Sequence, residues 1–400
     1  MSDPFGLSAP ATLQDPYPTY ARMRAEAPVA WFDPWDAWVV TRHDDVQAAF
    51  RDPRWSAERA AAFAAKLDAE TRARVEPLVR NLSGWALLMD PPAHTRVRAL
   101  LNRAFTPRLI HELRPRVEAL VAELLDAAGD EIDLMSALAT PLPVMVIGDM
   151  LGLPASDRGH LKRWSDDLAA FLGAGRATPA DVVAAVRAIT QIEDYFRTQL
   201  AERRRAPGDD LLSALLSAEE AGTILDEQEL VSTCAMILFG GHETTTHLIG
   251  NGMLALVTHR AEWQRLAHAP ASAAAAVEEL LRFDAPVQRM GRLAKEPMEL
   301  RGQRVAAGQR VFLMLGAANR DPEQFAAPDT LDLARADGKH VAFGWGPHYC
   351  VGAGLGRLEA ELAFAALARR FPDAALGETP EFQNNVTIRG LRSLRLRLRG

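Results

Sequence analysis

Between residues 343 and 352 the chain reads Phe343-Gly344-Trp345-Gly346-Pro347-His348-Tyr349-Cys350-Val351-Gly352, and no other stretch restricts the fold so strongly. Its glycines let the backbone turn tightly and approach a flat ligand closely. Leu355, Leu358 and Leu362 then repeat at helical spacing, so a helix is expected to start just after Cys350. The free N–H groups and positive end of that helix would stabilise a thiolate. A sulfur anion offered from such a turn suits ligation of a metal held in a planar ring. A lone cysteine is more often a small buried hydrophobe, but packing alone does not require so many glycines beside it.

Most of the remaining chain reads as helix. Thr178-Pro179 makes a helix start, followed by Val182, Val186, Ile189, Phe196 and Leu200 on one face. Asp226 is an N-cap for a long apolar helix running past Leu248. Further helices are expected over Ala271 to Phe283 and Leu355 to Phe371. Strand signals are local: Trp38 to Thr41, with Asp44 or Asp45 capping the next helix; short strands over Met298 to Leu315, turned at Gly302 and Gly308; and edge strands over Val386 to Leu398, where Leu and Arg alternate. No internal repeat, low-complexity tract or inter-domain linker is evident, which predicts one mainly helical domain over residues 1–400 with a small sheet region at one side.

Inside the long helix lies Gly240-Gly241-His242-Glu243-Thr244-Thr245-Thr246. Each mid-helix glycine costs about 1 kcal/mol relative to alanine, and threonine hydroxyls compete for the preceding carbonyls. The helix is expected to open locally here and admit a small molecule, with Glu243 beside Thr244 as a proton relay. The alternative is that Gly240 ends one helix and Thr244 begins another. His242, Glu243 and His247 are similar to a zinc-protease motif, which needs its histidines four apart. Here they are five apart, turning the second away by roughly 140°, so zinc is excluded. Glu279 and Arg282, three apart on a helix, share a spacing with Glu202/Arg205 and Glu262/Arg265 and by spacing alone would be a surface ion pair.

The 400 residues carry a net charge of −7, which argues against a general nucleic-acid binder. Cys234 and Cys350 are too few for a disulfide framework and point to a reducing compartment. No signal pattern opens the chain, and its most apolar stretches, Leu142 to Leu153 and Val231 to Gly241, fall short of the roughly 20 residues a spanning helix needs. A cytoplasmic protein without a membrane anchor is expected.

In this order the motifs resemble those of the cytochrome P-450 family, specifically its soluble bacterial members. The likeness runs through Asp90-Pro91-Pro92-Ala93-His94-Thr95-Arg96-Val97-Arg98, the glycine-containing helix, the Glu279/Arg282 pair, Gly291-Arg292, Ala318-Asn319-Arg320-Asp321 and the cysteine loop. It implies a mainly α fold, a large helical domain with a small β-rich side region. It implies haem b (iron protoporphyrin IX) with Cys350 as the thiolate ligand and Phe343 beside the sulfur. Gly344 and Gly352 would line the cofactor. His94 and Arg98 would meet one propionate, and Arg292 and His348 the other; Arg96 and Arg103 would face solvent. Glu243 and Thr244 would serve dioxygen activation by delivering protons, while Glu279 and Arg282 become a buried structural pair. Glu243 stands where aspartate is commoner, and Gly356 where alanine is.

The resemblance further implies a substrate cavity near Trp85, Leu87, Met236, Phe239, Gly240, Val287 and Ile388. Gln288 and Arg289 either anchor a polar substrate group or face solvent. The substrate would be a hydrophobic molecule such as a polyketide, terpenoid or fatty-acid-like compound, hydroxylated or epoxidised with O2. Electrons would come from a separate ferredoxin or flavodoxin-type donor with its reductase, docking on a patch that includes Arg103, Arg108, Arg357 and Arg369. A monomer is expected. Two rivals remain open: a haem-thiolate enzyme with peroxide-driven, oxidative-coupling or isomerase activity, and a non-enzymatic helical binding protein in which Cys350 is mere packing.

Overall fold

A 32-residue helix, Glu227–Thr258, forms the axis of the molecule. Asp226 caps it: its carboxylate accepts from the Glu229 N–H at 2.7 Å while Glu229 accepts from the Asp226 N–H at 3.0 Å. Around it pack helices Pro141–Met150, Pro179–Arg205, Ala273–Phe283 and Ala353–Arg370. A helix enclosed on nearly all sides must be apolar nearly all round, and this one is buried along most of its length. The computed structural model describes residues 3–65, 67–174, 177–220 and 225–399.

Contrary to the expected opening, residues 240–246 continue the helix without a break. Two glycines serve close packing instead. A Cβ on Gly241 would lie 2.7 Å from Ile147 side-chain atoms, and one on Gly252 would lie 2.5 Å from Phe364. Thr178 and Asp181 form the second capping box, at the start of Pro179–Arg205. There Ile189, Phe196 and Leu200 are buried, while Val182 and Val186 are half-buried at the open end.

The described strands are β1 (Val29–Phe32), β2 (Ala37–Val40), β3 (Trp55–Ser56), β4 (Glu131–Asp133), β5 (Met290–Ala294), β6 (Met298–Leu300), β7 (Gln303–Val305), β8 (Arg310–Leu313), β9 (Ala375–Leu376) and β10 (Arg395–Arg397), in three separate sheets. Five form a sheet in the order β1-β2-β8-β5-β3, in which only β2 and β8 run parallel. β6 and β7 form a hairpin, with Gly302 at φ 76°; Gly308, at φ 78°, turns the chain into β8. Both glycines sit in the left-handed region, as turn positions require.

Two strand-level expectations are corrected. Asp44 and Asp45 do not cap helix His43–Ala49. They lie in its first turn and bind Arg301, while Asp321, remote in sequence, accepts the His43 N–H at 2.9 Å. β10 is the middle strand between β4 and β9, not an edge. Leu396 and Leu398 are buried while Arg395 and Arg397 point outward, so the alternation is real, but each partner strand is only two or three residues long. Residues 386–394 form no regular strand; they contribute the isolated bridges Val287–Ile388 and Phe382–Leu391.

Among the described residues no helix is long and apolar enough to cross a membrane. Gly356, inside helix Ala353–Arg370, has room for a methyl group, since a Cβ there would rest 3.4 Å from the Thr245 hydroxyl. Gly356→Ala is therefore expected to stabilise the protein by about 0.5–1 kcal/mol. Denaturant unfolding at equal haem content measures it; a lower midpoint would show that the contact is too tight.

Candidate active site

The turn before helix Ala353–Arg370 presents Cys350. Its N–H donates to the Phe343 carbonyl at 2.9 Å, closing the loop, and Gly344 and Gly346 take φ values of 70° and 67° within it. The Cys350 side chain has accessible surface, yet burial is the main influence raising its thiol pKa. Those two observations fit a wall of an internal cleft, where protein crowds the sulfur but one side stays open. The Gly352 N–H, Arg98 and Arg357 act in the opposite direction and favour the anion. The Arg357 guanidinium sits 4.5 Å over the Phe343 ring, holding that ring beside the loop.

Along the central helix Met236, Gly240 and Thr244 are spaced four apart and form one accessible stripe, while most of their neighbours are buried. Gly356 lies against Thr245, so the helix that follows Cys350 meets the central helix one residue from Thr244. The Thr244 hydroxyl reaches the Gly240 carbonyl only at 3.5 Å, a long contact that leaves it available. Among the other cavity candidates, Trp85 packs its ring 5.3 Å from Phe239, and Val287 bridges to Ile388. Trp85 is 1% exposed and bonded to Asn81, a core position, and Leu87 is half-buried.

On another side, positive and hydrogen-bonding groups collect with little to neutralise them. His94 and His348 stack at 4.1 Å. Burial lowers the pKa of both, aided by Arg98 for His94 and by Arg292 and His94 for His348, which falls to about 3. Both rings are then neutral donors at pH 7. Burial pushes Arg292 down to about 10, and Arg59 down to about 9 with help from Arg292. Both remain cationic at neutral pH, and each donates to the Gly291 carbonyl. The carboxylate nearby, Asp90, is engaged by Lys295 at 3.0 Å and the Ala57 N–H at 2.9 Å. Sequence reasoning missed Arg59, which carries no motif. Arg98 is half-buried, bonded to Asn102 at 3.1 Å, and its charge is felt at Cys350.

Glu243 turns away from the accessible stripe and is buried. Its Oε1 lies 3.2 Å from His242 Nε2 and 3.6 Å from Lys162 Nζ; its Oε2 lies 3.7 Å from His247 Nε2. These are ion-pair distances, and the His242 and Oε1 atoms are not aligned for a regular hydrogen bond. Burial would raise the carboxyl pKa, but both histidines and Lys162 outweigh it and hold the group well below the usual range. Five-residue spacing does not keep the histidines apart, because both rings turn to the one carboxylate. Even so, no group of three or more His, Cys, Asp or Glu among the described residues could hold a metal ion.

Glu279 and Arg282 form a buried two-pronged pair, at 2.7 and 2.8 Å, whereas at equal spacing Arg265 meets Glu262 at 3.6 Å while half exposed, and Glu202 meets Arg203 instead of Arg205. Arg289 and Gln288 do not face solvent. Arg289 is stacked between Trp35 and Phe312 at 3.9 and 4.1 Å, and Gln288 bonds the Ala285 carbonyl at 2.7 Å. Arg96 is not simply solvated; it binds Glu229 at the start of the central helix. Of the four arginines expected on a docking patch, Arg357 is committed to Glu278 at 2.5 Å, whereas Arg103, Arg108 and Arg369 are exposed, Arg108 in a surface pair with Glu112 at 2.8 Å.

The cytochrome P-450 family profile matches residues 180–385. The cytochrome P-450 monooxygenase PikC of Streptomyces venezuelae is 40% identical, over 96% of this chain and 91% of its own. The polyketide biosynthesis cytochrome P-450 PksS of Bacillus subtilis is 36% identical, over 95% of each. A myxobacterial member solved in complex with myristic acid superposes with a TM-score of 0.90, at 38% identity and over 100% of both chains. The chain belongs to the cytochrome P-450 family, the haem-thiolate class that its fold and cysteine loop define. It is a monooxygenase of the bacterial type.

The residues present fit that cofactor. A flat dianion needs one soft anionic ligand and several buried donors for its carboxylates, and the accessible Cys350 thiol and the Arg59, His94, Arg292 and His348 set have that chemistry.

Proposed function

We propose that this monooxygenase hydroxylates or epoxidises a hydrophobic small molecule, of polyketide, terpenoid or fatty-acid-like character, in the cytoplasm. Haem b would be held by Cys350, within a turn shaped by Phe343, Gly344 and Gly352, and by His94, Arg98, Arg292 and His348, with Arg59 added from the structure. When bound, haem supplies dioxygen activation and oxidising power. The chain's own residues do the rest. Met236, Gly240 and Thr244 present a mostly apolar wall, supported by Trp85, Leu87, Phe239, Val287 and Ile388, which orients an apolar substrate and excludes water. PksS, assigned to polyketide biosynthesis, and the relative that holds myristic acid support this substrate class.

Thr244 offers a hydroxyl on the accessible stripe. Glu243, next in sequence but on another face of the helix, holds its carboxylate among His242, His247 and Lys162. Together they form a route by which protons reach the stripe from inside the protein. A separate ferredoxin or flavodoxin-type donor with its reductase would supply electrons, and Arg103, Arg108 and Arg369 are exposed cations for it.

The observation that carries this reading is the available Thr244 hydroxyl on an accessible stripe in the middle of a buried helix. Thr244→Ala is expected to bind substrate as before but to release several-fold more hydrogen peroxide per electron consumed. Product and peroxide yields per reductant measure it, and unchanged coupling would refute the role.

A further inference from the structure

The two oxygens of Glu243 are served unequally. Oε1 faces two donors, His242 and Lys162. The only ion-pair partner of Oε2 among the described residues is His247, at 3.7 Å. His247 lies one turn after Glu243 and is 4% exposed. Its Nδ1 is buried without a hydrogen-bond partner, so a network elsewhere does not fix the ring.

What fixes it is the backbone of Gly390. A Cβ at that position would lie 2.0 Å from His247 Nδ1, so the chain runs hard against the imidazole. That stretch is itself tied down. The Gln383 N–H donates to the Gly390 carbonyl at 2.8 Å and the Arg389 N–H to the Pro286 carbonyl at 2.7 Å. Asn251, on the central helix, donates to the Arg389 carbonyl at 3.0 Å.

We propose that His247 is a positioning residue for Glu243, its ring pressed by the Gly390 backbone so that Nε2 meets Oε2 and keeps the carboxylate at the head of the proton route. This rests on the reading of Glu243 as the acid of that route. The other groups facing the carboxylate are accounted for. His242 shares the helix; Lys162 comes from helix Arg158–Gly173 and is also paired with Asp166, whose charge opposes ionisation of Glu243 and whose own pKa is raised chiefly by burial. Helix Pro141–Met150 presents the apolar Ile147 to Gly241 beside it. Without His247, Oε2 would lose its one ion-pair partner among the described residues, a change that favours protonation.

The test uses the haem-loaded enzyme with its reductase system. In H247N the acid limb of the coupling–pH profile is expected to move up by about one pH unit, with several-fold more peroxide at neutral pH. The reduced carbonyl spectrum and substrate affinity should match the parent. H247Q, long enough to donate to Oε2, should restore the parental profile. Thermal stability against pH gives a readout without turnover. A carboxyl whose pKa is depressed on folding contributes stability at neutral pH and loses it as pH falls from the unfolded pKa to the folded one, so in H247N that acid loss should be smaller and should end at higher pH. A parental profile in H247N, or equal damage in H247Q, overturns the proposal. E243Q separates the two readings: if it leaves coupling unchanged the proton route itself fails, whereas a defect in E243Q without one in H247N refutes only the positioning role.

Discussion

Cys350→Ser protein, purified and supplied with haem, is expected to lack the parental reduced carbonyl absorption and to show only background turnover. The substitution changes little but the acidity and softness of one atom. The loop should survive, because it closes through the backbone bond from Cys350 to Phe343 and not through the side chain. The Gly352 N–H, Arg98 and Arg357 favour an anion at this position, but a serine hydroxyl stays protonated where a thiol can ionise. Visible spectra with and without carbon monoxide, taken with a melting curve, separate lost ligation from lost folding. A parental carbonyl band in the serine variant would refute the assigned ligand.

Glu279→Ala is expected to cost about 3–5 kcal/mol, the usual consequence of stranding one member of a buried ion pair. Arg282 is 2% exposed and would keep carbonyl acceptors at Asn319, Pro328 and Thr330 but lose both carboxylate contacts. The damage extends further, because Glu279 also binds Arg335 at 3.2 Å and accepts the Asp332 N–H at 3.0 Å. Glu262 and Arg265 supply an internal control with the same spacing. Their contact is 3.6 Å and Arg265 is 51% exposed, so breaking it should cost about 0–1 kcal/mol. Equal losses in denaturant titrations would show that burial is not what distinguishes the two pairs.

That comparison also shows where reading the sequence ends. The spacing of Glu279 and Arg282 says that they can meet, but nothing local says that other segments will enclose them. Capping is legible when the partners are three residues apart, as at Asp226/Glu229 and Thr178/Asp181. It is illegible when Asp321 does the work for His43 across 278 positions. The Leu/Arg alternation near the C-terminus reports one buried face, not which strands lie alongside, so a central strand reads as an edge. Arg59 joins the cationic set only through tertiary placement. The cysteine loop, by contrast, carries its glycines, its thiol and its helix within a dozen residues, and its local geometry follows from them.

The glycines at 241 and 252 have a consequence for divergence within the family. With Ile147 and Phe364 seated directly on the backbone of the long helix, one face is keyed in place, while nothing presses on the backbone at Gly240 on the accessible stripe beside it. On the proposed function, a substitution at Met236 reshapes what the enzyme accepts without shifting the rod that carries Thr244.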